Sequence, residues 1–204
     1  MSPKTGLLVV DMQVFFESMT TNALPNILKL CEHFTEASAP IIFTKHGHTK
    51  AEMVADSSSQ LVRKWGVSGS IGEGSAEGEI VPELHKFLPK AKRKVTLGES
   101  LPEPESSTFP KLLPKNTYDA FINTPLSTIL EKARIERLVV CGVMTDCCCD
   151  TTARAAFNRG YETWLVSDAC GSANKRQHAA GLNGFGFAFG EVLTTEEVVK
   201  RMQT

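Results

Sequence analysis

Three consecutive cysteines, Cys147, Cys148 and Cys149, follow a short apolar run, Leu138-Val139-Val140-Cys141, and a glycine, Gly142. The run has the length and β-branched character of a strand buried on both faces, and Gly142 marks its expected end. Thr145 and Asp146 are helix-capping types, and Cys149, Thr152, Ala153, Ala156 and Phe157 then recur at helical spacing. The cysteines therefore fall at a strand-to-helix turn. Unpaired backbone N–H groups and the positive end of a helix dipole favour a thiolate at such a turn, which in open α/β sheets also faces the ligand crevice. Cys149 continues the apolar stripe and reads as packing, so Cys147 and Cys148 remain as candidate nucleophiles. A disulfide between sequence neighbours is strained, and no C-x-x-C pair or nearby histidine completes a metal-ligand set.

Two other charged residues stand where strands should end. Gly6 to Val10 is an apolar run that meets Asp11, a candidate general base at the mouth of the crevice. Lys115 closes the short run Lys111-Leu112-Leu113-Pro114, whose proline points to an edge strand or a strand terminus. Gln13 and Phe16, just beyond Asp11, are placed to line a pocket, as is Trp65 ahead of the glycine-rich stretch 66–78. That stretch lacks the Gly-Lys-Ser/Thr ending of a P-loop and the preceding strand of a dinucleotide fingerprint, so it reads as a mobile loop over the site rather than a phosphate cradle.

These segments resemble those of the isochorismatase-like cysteine hydrolases, a family that includes nicotinamidases, N-carbamoylsarcosine amidohydrolases and isochorismatases. The likeness is carried by Leu7-Leu8-Val9-Val10-Asp11-Met12-Gln13, by Lys115-Asn116-Thr117-Tyr118-Asp119-Ala120-Phe121 with Thr124, and by Cys141-Gly142-Val143-Met144-Thr145-Asp146-Cys147-Cys148 with Thr152-Ala153-Arg154. In wording it is similar to plant-type nicotinamidases at Lys45-His46-Gly47-His48, at Glu79-Ile80-Val81-Pro82-Glu83 and at the Gly-Val-Met-Thr turn. The resemblance implies a triad of Asp11, Lys115 and Cys148, with Asp11 taking the thiol proton and the Lys115 ammonium favouring the thiolate. It assigns oxyanion donors to the Met144 and Cys148 backbone amides, and implies a cis peptide between Val143 and Met144. Tyr118, Phe121 and Thr145 join Gln13, Phe16 and Trp65 as implied substrate contacts. The implied reaction is hydrolysis of a small amide through a thioacyl intermediate, with no cofactor. Isochorismate cleavage, a vinyl-ether hydrolysis that needs no thiol, and a catalytically silent binding protein are the alternatives. Metal-binding nicotinamidases carry an aspartate and a histidine near His46 and His48; here His46 stands at the aspartate position and the next histidine is the distant His85, so the pair reads as hydrogen bonding and no metal is expected.

The elements that must position these groups follow from periodicity. Strands are expected at Gly6–Val10, Ile41–Thr44, Lys111–Pro114, Leu138–Cys141, Tyr161–Ser167 and Glu191–Thr195. Helices are expected at Asn22–Ala37, within Ala51–Trp65, at Pro125–Ala133, after the cysteine turn, from Asn174 and at the C-terminus. This alternation predicts a three-layer α/β/α domain with a six-stranded, mainly parallel, Rossmann-like sheet, one domain over residues 1–204 with a surface insertion at 89–110. A net charge of −1 supplies no basic footprint for nucleic acid and no polybasic patch for a membrane. The partner is a small-molecule substrate, and the resemblance adds a homodimer or homotetramer. Without a signal-peptide pattern or a run of transmembrane length, and with six unevenly spaced cysteines, the expected compartment is the cytoplasm.

Overall fold

Leu7 to Val10 and Leu138 to Val140 carry no polar side chain toward either face, and both runs are fully buried in the sheet they form. The computed structural model describes residues 3–90 and 108–203. Among these, six strands make one sheet in the order β3-β2-β1-β4-β5-β6: β1 Thr5–Val10, β2 Ile41–His46, β3 Lys111–Lys115, β4 Arg137–Val143, β5 Glu162–Gly171 and β6 Glu191–Leu193. Every pairing is parallel. A parallel sheet needs cover on both faces, which is why its strands are continuous apolar runs rather than alternating ones. The helices are α1 Glu17–Thr20, α2 Leu24–Glu36, α3 Gln60–Trp65, α4 Leu126–Lys132, α5 Asp150–Asn158, α6 Lys175–Ala188 and α7 Thr195–Met202. None of them is long and apolar enough to cross a membrane. Residues 91–107 of the expected insertion lie outside the described residues.

The chain order turns around at β1. From there β2 and β3 extend the sheet one way, and β4, β5 and β6 extend it the other. Ligand crevices of open α/β sheets lie outside the carboxyl ends of the strands at such a reversal, here between β1 and β4. Asp11 follows β1 and the cysteine turn follows β4.

Several strands run further than periodicity indicates: β2 reaches His46 and β3 Lys115, and the extensions of β4 and β5 bear on the site. β4 continues through Gly142 to Val143, so this glycine does not end the strand. It sits at φ +121°, where a Cβ would lie 2.1 Å from Val10 O. Only glycine lets β4 approach β1 that closely, and the β4/β5 register slips at the same place. β5 likewise runs on to Gly171. Asp168 is thus inside a strand rather than at its end, and its Oδ1 accepts from Thr195 N and Oγ1, both at 2.8 Å, securing the start of α7. The glycine-rich stretch, expected to be mobile, is stitched to the strand ends: His48 N donates to Ile71 O and Glu73 N to His48 O, each at 2.8 Å.

Candidate active site

At the carboxyl end of β3, Lys115 reaches the centre of the crevice with no exposure to solvent. Its Nζ is 2.6 Å from Asp11 Oδ2, 3.4 Å from Cys148 Sγ and 2.9 Å from Thr117 O. The ammonium thus pairs with a carboxylate and donates to a sulfur and a carbonyl. Burial alone would lower its affinity for a proton, but the Asp11 carboxylate and the Cys148 sulfur outweigh that and raise it, so Lys115 stays charged. Asp11 has a left-handed φ of 49°, a conformation that aspartate tolerates better than most residues. Thr44, within β2, clamps it: its Oγ1 donates to Asp11 Oδ1 at 2.6 Å and receives Asp11 N at 3.1 Å. Asp11 is therefore held by residues of β2 and β3, which lie on the same side of β1.

The cysteine segment departs from the simple capped helix. Thr145–Cys149 forms one π-helical turn, α5 begins only at Asp150, and neither Thr145 nor Asp146 caps it. The peptide between Val143 and Met144 is cis. The Cys147 and Cys149 amides both bond Met144 O at 3.1 Å, drawing the turn tight around the intervening Cys148. Cys149 is fully buried, Cys148 is buried with 6% exposure, and Cys147 is partly exposed.

Sequence reasoning expected a thiolate at this turn; the surroundings say otherwise. Burial pushes the Cys148 thiol well above the ordinary cysteine range, Lys115 pulls it back only in part, and the Asp11 charge pushes it up again. These surroundings favour the protonated thiol over the expected thiolate. Cys147 is raised to about 11 by burial and then by Asp146 and Asp150.

The expected substrate contacts divide into two groups. Trp65 and Tyr118 come together: Trp65 Nε1 donates to Tyr118 Oη at 2.8 Å, Tyr118 also contacts Cys147, and Trp65 remains 48% exposed. Phe16 is partly buried and packs edge-to-face on Phe15 at 5.0 Å. The other three are engaged within the fold. Gln13 is fully buried and commits its amide to backbone, donating to His46 O and Gly78 O at 2.8 Å each and accepting from His46 N at 2.7 Å. It therefore joins the end of β1 to β2 and the glycine-rich stretch. Phe121 stacks on Tyr161, with Arg159 4.3 Å over its ring. Thr145, fully buried, donates to Gly171 O at 2.9 Å and meets His178 Nδ1 at 2.8 Å.

His46 and His48 face each other, Nε2 to Nε2, at 3.2 Å. Burial, the Lys115 ammonium and the neighbouring His48 bring His46 down to about 3, so it is neutral beside the lysine. Among the described residues no three His, Cys, Asp or Glu side chains are grouped to hold a metal. A mutually bonded pair does not make the three-ligand set of a catalytic metal. Thr44 and His178 were missed from sequence; for Thr44 the available signal was a lone hydroxyl closing the apolar run Ile41-Ile42-Phe43.

Known proteins with this architecture point the same way. An isochorismatase domain is matched over residues 5–197. Nicotinamidase 3 of Arabidopsis thaliana is 32% identical over 193 residues, which span 95% of this chain and 86% of that protein. A cysteine hydrolase from Pseudomonas syringae pv. phaseolicola 1448A superposes with a TM-score of 0.77 at 24% identity, covering 98% of this chain and 92% of the other. The nicotinamidase of Staphylococcus aureus has the same fold, with a TM-score of 0.68 at 22% identity over 95% of this chain and 99% of its own. The chain belongs to the isochorismatase family of hydrolases.

Proposed function

We propose that the protein hydrolyses a small carboxamide, nicotinamide or a near relative, with Asp11, Lys115 and Cys148 as its triad. The observation that carries this reading is the contact of Lys115 Nζ with both Asp11 Oδ2 at 2.6 Å and Cys148 Sγ at 3.4 Å, in a site closed to solvent. Its likeness to a nicotinamidase at 32% identity supports an amide rather than a vinyl ether as the bond cut. Trp65 and Tyr118 offer an aromatic wall for a planar ring beside the cysteine turn.

Asp11 accepts the Cys148 proton as the sulfur attacks the amide carbon, and Lys115 offsets negative charge on both during the transfer. The carbonyl oxygen becomes an oxyanion held by the Met144 and Cys148 amides, a kind of donor that is typically worth about 10²–10³ in rate. Collapse breaks the C–N bond, Asp11 returns its proton to nitrogen, and ammonia leaves. Water then attacks the thioester carbonyl, giving its proton to Asp11, and the C–S bond breaks to release the acid and restore the thiol.

The test is to incubate wild type and Cys148→Ala with nicotinamide, other small amides and isochorismate, following ammonia and pyruvate. Ammonia from one amide, abolished in the variant, is the expected result. Pyruvate from isochorismate that survives the substitution would make Cys148 a bystander, and silence on every substrate would leave a binding protein.

A further inference from the structure

The cysteine turn is gripped from outside the triad by the first turns of α6. Gly181 of α6 comes so near that a Cβ there would lie 2.8 Å from Asp146 Cα. Gln177 Nε2 donates to Asp146 Oδ2 at 3.0 Å, and Ser172 Oγ donates to Asp146 Oδ1. His178 Nδ1 lies 2.8 Å from Thr145 Oγ1, and that hydroxyl lies 2.9 Å from Gly171 O. The root of the imidazole is fixed as well, because His178 N donates to the Asn174 carbonyl at 3.0 Å while the Asn174 side chain caps the helix at Gln177 N.

A threonine hydroxyl has one proton to give, and a carbonyl can only accept. The Thr145 proton is therefore committed to Gly171 O, and the oxygen lone pair that faces His178 must receive a hydrogen from Nδ1. The hydrogen-bond network thus selects one of the two neutral tautomers, with hydrogen on Nδ1 and none on Nε2. We infer that His178, as its Nδ1–H tautomer, is a positioning residue for the hydrolysis: by donating to the Thr145 hydroxyl it fixes the turn whose flanking amides, Met144 and Cys148, receive the oxyanion.

This role rests on the amidohydrolase reading. His178 touches neither the sulfur nor the expected place of the substrate, so its effect passes through Thr145. Thr145 lies directly after one proposed donor residue and three before the other, and its side chain is anchored on β5 by one bond and on α6 by the other. Loss of the second anchor lets the turn rotate about the first. A displacement of about 1 Å at donors that must meet a developing charge is enough to cost as much as 10² in rate, while leaving ground-state binding little changed.

His178→Ala is expected to lower kcat for the amide by about 10- to 100-fold with KM within about two-fold. Alkylation of Cys148 by iodoacetamide, which develops no oxyanion, stays at the wild-type rate. His178→Asn, whose amide N–H falls where Nδ1–H was, restores most of kcat, whereas His178→Gln, whose amide reaches toward the former Nε2, does not. Nitrogen NMR of the wild-type imidazole, which reads the tautomer without reference to turnover, shows hydrogen on Nδ1. A bare Nδ1, an alanine variant with wild-type kcat, or a glutamine variant as active as the asparagine one would each overturn the proposal. A wild-type enzyme silent on every amide would remove the amidohydrolase reading and this role with it, while the tautomer would still be decided by NMR.

Discussion

Replacing Lys115 by methionine removes the ammonium and keeps most of the side-chain volume. In the native site that ammonium and the Asp11 carboxylate are both wholly buried and 2.6 Å apart. The variant leaves Asp11 with Thr44 as its remaining hydroxyl partner and takes a donor from the main-chain carbonyl of Thr117. Breaking one side of a buried ion pair typically costs about 3–5 kcal/mol, because a charge is left in a medium that cannot solvate it. For a chain of about this length each kcal/mol moves Tm by roughly 2–4 °C, so a fall of about 6–20 °C is expected. The double variant Asp11→Asn/Lys115→Met removes both charges and should recover a large part of the loss. Urea unfolding of wild type, both single variants and the double variant closes the thermodynamic cycle. All three variants should be inactive, so stability and activity separate only in the double variant. A Lys115→Met protein within 1 kcal/mol of wild type, or a double variant as unstable as the two single losses added together, would refute a tightly coupled buried pair.

Thr44→Val keeps the shape of β2 but removes the hydroxyl that holds Asp11 Oδ1, and should cost about 1–3 kcal/mol in urea unfolding, with a fall in kcat as the base loses its aim. Gly142→Ala puts a Cβ 2.1 Å from Val10 O at a φ that side chains rarely adopt; strain and overpacking together should cost about 4 kcal/mol, seen as lost soluble protein or a sharply lowered Tm. With the Cys148 thiol raised by burial, its iodoacetamide reactivity in the substrate-free protein should climb with pH through pH 9 without levelling, since the thiolate fraction is still increasing there. A plateau reached below neutrality would show a preformed thiolate instead.

The sheet was legible because burial on both faces leaves its mark on each strand separately: Leu7 to Val10 and Leu138 to Val140 need no partner to be recognised. The convergence of Asp11, Lys115 and Cys148 was legible for a related reason, since each stands at or just beyond the end of such a run and within a segment that resembles a family motif. What was hidden depends on pairs far apart in sequence. Gln13 is an ordinary pocket candidate until His46 and Gly78 take up its amide, and Thr145 is an ordinary capping type until Gly171 and His178 arrive on either side of its hydroxyl. Gly142 misled for a similar reason. Glycine after an apolar run most often ends a strand, but here its missing Cβ is what allows β4 to pass Val10 and carry the turn on toward Asp11. The protonated state of Cys148 was equally out of reach, since a turn beside a helix start argues for thiolate and only the depth of burial reverses the sign.

The central claim is that the acyl group passes through Cys148 Sγ. Excess enzyme mixed with nicotinamide, quenched in acid within the first turnover and mapped by peptide mass spectrometry should carry the acyl group as a hydroxylamine-sensitive thioester on Cys148 and on no other cysteine. An acyl group on Cys147, or a Cys148→Ala enzyme that still releases ammonia, would contradict the account.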